Sequence, residues 1–242
     1  MAEGSYILPS NVPANEFMNL EGDKISTSRN WAVWLHEYLE ELPGKQDVLR
    51  YVLTANAPET KDSEFTWKGF QDANNNELVS IFGNFVNRTF VLMHKLCSGK
   101  VPKLHEDVKD EKDKNLIDEI GKSKFKIQNL IEEYRFRDAL FEVIDLARKG
   151  NKYMQEKEPW IVAKSLPNPR LNESFGQVSE GGATGISNET KSKNKEVNQN
   201  PPLEGREAQK LIDNCLHLCL QLTANLAILI HPFLPYTAKK ML

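Results

Sequence analysis

Cys215-Leu216-His217-Leu218-Cys219-Leu220-Gln221-Leu222-Thr223-Ala224-Asn225-Leu226-Ala227-Ile228-Leu229-Ile230 is the longest apolar stretch of the chain. His217, Gln221, Thr223 and Asn225 interrupt it, which makes it too short and too polar for a membrane span. It is apolar on most of its faces, so it predicts a central helix over about 206–230 that other helices bury. His231-Pro232-Phe233-Leu234-Pro235 stops that helix, and Tyr236–Leu242 begins another.

The segments before it have helical spacing almost throughout. Trp34, Leu35, Tyr38, Leu39 and Leu42 form one amphipathic piece, stopped by Pro43-Gly44; Val48, Leu49, Val52, Leu53 and Ala55 form a second. Residues 59–70 read as polar and turn-like, anchored by Phe65, Trp67 and Phe70. A long helix is expected over about 72–97, with Leu78, Ile81, Phe82, Phe85, Thr89, Met93 and Leu96 as its apolar stripe. The charge run 103–114 reads as a solvated connection. Leu116, Ile117, Ile120, Leu130 and Ile131 continue the pattern, and a further helix covers roughly 136–157 until Pro159 ends it. Residues 165–205 are rich in Asn, Pro, Gly, Ser, Glu and Lys, a composition that cannot offset its ordering entropy and reads as a disordered insertion. The expected fold class is mainly α: an antiparallel helical bundle. Tyr6-Ile7-Leu8 and Phe17-Met18-Asn19-Leu20 read as short strands, the remnant of a larger α/β domain.

Composition narrows the function. With 242 residues, 40% of them hydrophobic, the chain can bury a substantial core. A net charge of −3 supplies no global field for nucleic acid, so any such contact must be a local patch. The three cysteines, Cys97, Cys215 and Cys219, do not form a disulfide framework and fit a reducing, cytoplasmic setting. Cys215-x-His217-x-Cys219 has the residue types of a metal site, but on a leucine-rich helix the two cysteines act as small hydrophobes and His217 points elsewhere, so no metal is expected here.

Three places break the amphipathic pattern. Lys24-Ile25-Ser26-Thr27-Ser28-Arg29 is small, polar and cationic, which suits a mobile loop that closes on phosphates: lysine brings three donors and the serines add hydroxyls. Asn84, Asn87 and Arg88 lie on the face opposite the apolar stripe of the 72–97 helix, with Asn84 and Arg88 four apart. Amide and guanidinium groups read base edges, and equally populate solvated faces. Lys157-Glu158-Pro159-Trp160 leaves a tryptophan beyond a helix end, either a cap on the core or a platform on which an unpaired base stacks. The two helices would have to pack side by side for Trp160 to meet Asn84 and Arg88.

Together these segments resemble the class I methionyl-tRNA synthetases. Lys24–Ser28 is similar to that family's KMSKS loop, Asp47-Val48-Leu49-Arg50-Tyr51 to the helix after it, and Asn84-Phe85-Val86-Asn87-Arg88 with Glu158-Pro159-Trp160-Ile161-Val162-Ala163-Lys164 to its anticodon-binding segments. The resemblance implies ATP contact, with magnesium, for Lys24, Ser26 and Ser28, and reading of the CAU anticodon of methionine tRNA by Asn84, Arg88 and Trp160. It implies three parts: 1–29, the end of a catalytic domain; 30–73, a linking region; and 74–242, the anticodon-binding bundle. Thr27 departs from the family, which has a second lysine there. The HIGH signature, the methionine pocket and the zinc-binding insertion have no counterpart, so methionine and any zinc would belong to the full-length ligase, and the chain alone is expected not to form the adenylate. The alternatives are another class I synthetase, for isoleucine, valine, leucine or cysteine, and a non-catalytic helical scaffold.

Overall fold

A computed structural model describes residues 7, 9–166 and 205–242. It opens with a small sheet of order β2-β1-β3, in which β1 (Met18–Leu20) pairs antiparallel with β2 (Asp23–Lys24) and parallel with β3 (Ser63–Phe65). The β1–β2 turn is the dipeptide Glu21-Gly22, both at positive φ (49° and 83°), the backbone that a two-residue hairpin favours. Glu21 is an unusual occupant of that position. It is held there by its amide, which donates to Phe65 O, and by its carboxylate, which accepts from the Trp67 amide at 2.7 Å. Parallel pairing of β1 with β3 requires a crossover, which α1 (Leu35–Glu41) and α2 (Gln46–Ala55) supply. The 59–70 stretch is therefore not turn-like throughout: it carries β3 and the start of α3 (Trp67–Ala73), capped by the Thr66 hydroxyl on the Gly69 amide. Of the expected strand at Tyr6–Leu8, Tyr6 and Leu8 lie outside the described residues and Ile7 is in no strand.

From Trp67 the chain stays helical to Cys97, through a π-helical stretch (Asn74–Gly83) into α4 (Asn84–Cys97). A 3-10 turn (Glu106–Val108) leads to α5 (Glu111–Glu132), which forms an antiparallel hairpin with α6 (Phe136–Lys157), as the pairs Tyr153–Asp113, Lys149–Glu119 and Ser123–Glu142 show. The short α7 (Pro159–Lys164) follows, then α8 (Gly205–Ile230) and α9 (Pro235–Met241). Of the expected disordered insertion at 165–205, residues 167–204 lie outside the described residues, and Gly205 already begins α8.

α8 is the axis of the core, as its composition predicts. Ile212, Cys215, Leu216, Cys219, Leu222, Leu226 and Ile230 are buried to 1% exposure or less, and α4, α5, α6, α7 and α9 all pack against it. At 26 residues it is, by length and composition alone, long and apolar enough to cross a membrane. Yet 56% of its most apolar window is buried inside the bundle. Gly150 on α6 permits the closest approach at this crossing: a Cβ there would fall 2.6 Å from both Leu222 and Phe85 side-chain atoms.

Helix α2 is tied to the corner between α8 and α9. Arg50 donates from Nε to Phe233 O (2.7 Å) and from Nη2 to Pro232 O (3.0 Å), fixing the corner between α8 and α9. Asp47 accepts from the Thr237 amide and so caps α9. Leu20, Tyr51 and Phe65 share one hydrophobic core with Leu140, Leu216 and Leu222.

The charge run 103–114 is not merely a solvated connection. Asp110 and Asp113 form a reciprocal capping box at the start of α5, and Asp113 is fully buried. Lys157, the last residue of α6, places its ammonium 2.7 Å from Asp113 Oδ1 and 2.9 Å from Asp110 Oδ2, while the Tyr153 hydroxyl donates to Asp113 Oδ1 at 2.7 Å. Burial alone would lower the Lys157 pKa; the bonds to Asp113 and Asp110 outweigh it and hold the group above the ordinary lysine range.

Candidate nucleic-acid interface and phosphate loop

Lys24 lies in β2, and the loop after it is closed on itself. Ser26 and Trp31 exchange both backbone hydrogen bonds at 2.9 Å, and Asn30 takes a positive φ at the turn. The Trp31 indole donates to Leu20 O, pinning the loop to β1. The Ser26 and Ser28 hydroxyls are 3.2 Å apart, and Arg29 reaches back to Lys24 O. Lys24 Nζ lies 5.1 Å from the Phe17 ring centroid and has no carboxylate partner among the described residues. The loop thus presents the Lys24 ammonium and the hydroxyls of Ser26, Thr27 and Ser28 from a short, anchored turn. That is a donor set for phosphate oxygens.

The second group lies on the bundle. The turn that ends α6 is made by Glu158, which adopts a left-handed backbone (φ 43°, ψ 54°). α6 stops before Pro159, as expected, and Pro159 is itself the first residue of α7, where its missing N–H costs nothing. Trp160 follows in the first turn of α7, half-buried against the core, and the Arg88 guanidinium carbon lies 5.1 Å from its ring centroid. The tryptophan is therefore a partial core cap and a cation–π partner at once.

Arg88 is not on the face opposite the apolar stripe. It is half-buried on the flank of α4, one residue from buried Thr89, with α8 packed against this helix and Trp160 of α7 beneath the guanidinium. Burial pulls its pKa down, opposed by Cys219. Among the described residues no carboxylate pairs with it. A partly desolvated guanidinium with its forked donors unclaimed by an acid favours an anionic or carbonyl acceptor from outside. Asn84, exposed one turn earlier, makes a long amide contact (3.4 Å) with Asn151 of α6, whose own amide donates to Ile81 O of the π-helical stretch. Asn84 and Asn87 both line a groove of about 950 Å³ that runs between α4 and α9.

The structure thus brings Arg88 and Trp160 into contact, with Asn84 on the same helix. Lys24, Ser26 and Ser28 share the separate loop, and no hydrogen bond joins the two groups among the described residues. The sequence reading missed the Lys157–Asp113–Asp110 cluster at the end of α6; its one visible signal was the Asp110-x-x-Asp113 spacing before an apolar pattern. The cysteine reading holds. Cys215 and Cys219 are core residues, and His217 bonds Pro102 O from another face. Burial, with Asp213 beside it, pushes the Cys97 thiol up to about 11, which disfavours the thiolate.

A family model described as "tRNA synthetases class I (M)" matches residues 1–90. Two methionine–tRNA ligases, of Phocaeicola vulgatus and Porphyromonas gingivalis, are each 50% identical to this chain over 99% and 100% of its length. The chain spans 29% of the length of each of these relatives. Among solved structures, Mycobacterium tuberculosis methionyl-tRNA synthetase in complex with methionyl-adenylate superposes with a TM-score of 0.72 over 94% of this chain and 36% of that one. At 20% identity that likeness speaks for the fold.

Proposed function

We propose that this chain, a homologue of methionine–tRNA ligases along its whole length, is the part of such an enzyme that closes on ATP with one loop and reads the anticodon of methionine tRNA with its helical bundle. The full-length ligase uses ATP to attach methionine to that tRNA. Residues 1–29 end its catalytic domain, 30–73 link it to the bundle, and 74–242 bind the anticodon. Lys24, Ser26 and Ser28 contact ATP phosphates as charge develops on them. Thr27 adds only a hydroxyl, where the KMSKS pattern that the loop resembles has a second lysine. Any magnesium would come with the nucleotide: among the described residues no group of three or more His, Cys, Asp or Glu side chains could hold a metal.

One observation carries the anticodon reading: the Arg88 guanidinium over the Trp160 ring at 5.1 Å. It joins a helix that offers Asn84 and Arg88 to an aromatic 72 residues further on, in a chain of net charge −3 that has no bulk field to attract RNA. The arginine supplies donors to a base edge or phosphate, Asn84 an amide, and the indole a stacking surface.

Trp160→Ala is expected to weaken binding of a CAU-bearing anticodon stem-loop by roughly one to two orders of magnitude, the equivalent of ~1–3 kcal/mol of stacking. Arg88→Ala should weaken it as well, and relax base preference if the guanidinium meets a base edge rather than a phosphate. Fluorescence anisotropy titrations of the variants check both. Unchanged affinity for Trp160→Ala removes Trp160 from the site.

A further inference from the structure

The ion cluster at the C-terminal end of α6 is expensive for what it returns in stability. Asp113 is fully buried and the Lys157 side chain is 10% exposed. A buried pair of this kind is commonly no better for stability than an apolar pair of the same size. What the cluster does fix is geometry. Lys157 is the last residue of α6, and its ammonium is shared by two carboxylates of the α5 N-terminal capping box. The next residue, Glu158, holds a left-handed backbone that disfavours any side chain with a Cβ. Its carbonyl then accepts from the Ile161 and Val162 amides and starts α7. Pro159 is buried, and Trp160 comes after it, under Arg88. Between the clamp and the indole there are only two residues, and both are conformationally committed.

We propose that Lys157, clamped between Asp110 and Asp113, is a positioning residue for Trp160: it sets the strained turn that aims α7 and so holds the indole against Arg88 before RNA arrives. The proposal rests on the reading of Trp160 as an anticodon platform. A clamp of this kind lowers the ordering cost of binding without touching the ligand. It requires a cation long enough to reach both carboxylates, so arginine should substitute for lysine and methionine should not.

The test is a double-mutant cycle on this chain, read as affinity for a CAU stem-loop. Lys157→Met is expected to weaken binding about tenfold in the native background and to add nothing once Trp160→Ala is present, whereas Lys157→Arg restores most of the loss. Asp110→Asn, at a half-exposed site that removes one of the two carboxylates, should show a smaller loss with the same non-additivity and covers the case in which Lys157→Met does not fold. Equal losses in both backgrounds, or no loss for either clamp variant while Trp160→Ala weakens binding, overturn the proposal and leave the anticodon reading standing. If Trp160→Ala itself changes nothing, both fall.

Discussion

Asp113→Ala is expected to lower the unfolding free energy by about 3–5 kcal/mol, the cost of leaving a buried charge without its partner. The carboxylate is fully buried and serves three groups at once: the Lys157 ammonium at 2.7 Å, the Tyr153 hydroxyl at 2.7 Å and the Asp110 amide at 3.1 Å. Lys157 retains Asp110 at 2.9 Å, which places the effect toward the lower end of that range. Replacing both partners, Asp113→Leu with Lys157→Met, should recover part of the loss, because an apolar pair of similar volume carries no desolvation penalty. Urea unfolding followed by circular dichroism checks this. A loss below about 1 kcal/mol for the single variant would mean that water reaches the cluster.

Phe85→Ala should cost about 3–5 kcal/mol as well, through a different mechanism. Phe85 is fully buried, and its ring meets the crossing of α4 with α6 at Gly150. The ring edge and Leu222 occupy the space that a Cβ at Gly150 would need, so the glycine and the phenylalanine are matched in size. Removing the ring leaves a cavity that neither helix can close without moving. Because Phe85 sits between Asn84 and Arg88 in sequence, the same variant should loosen the surface those residues present. Thermal and urea unfolding give the magnitude, and a loss under about 1.5 kcal/mol would mean that the crossing collapses around the gap.

The helical part of the fold was legible because its signals are local. Phe136–Lys157 and Gly205–Ile230 fall within a residue of the expected spans, since apolar periodicity, proline and composition mark their limits. β3 was not legible. It is three residues long, polar in two of them, and its parallel partner lies 45 residues earlier. The buried carboxylate of Asp113 was hidden for the same reason: in sequence it stands among charges, and the cation that neutralises it is 44 residues away. The π-helical stretch before Asn84 carries no sequence mark that separates it from an α-helix.

The candidate sites divide along the same line. Asn84 and Arg88 could be paired from their spacing on one helix, and Lys24, Ser26 and Ser28 from their place in one loop. The half-burial of Arg88 could not, because it depends on α8 packing against α4 and on Trp160 lying beneath the guanidinium. Its contact with Trp160 depends on the Glu158 turn, and a glutamate gives no warning of a left-handed backbone.

The measurement that bears most directly on the bundle's function is a titration of this chain against two anticodon stem-loops of identical stem, one bearing CAU and one a scrambled anticodon, at fixed salt. If Asn84, Arg88 and Trp160 read the anticodon, the CAU stem-loop binds at least about tenfold more tightly, since one lost base contact is worth ~1–3 kcal/mol. Equal affinity for the two would contradict that assignment and leave the bundle as a surface that holds RNA by its backbone alone.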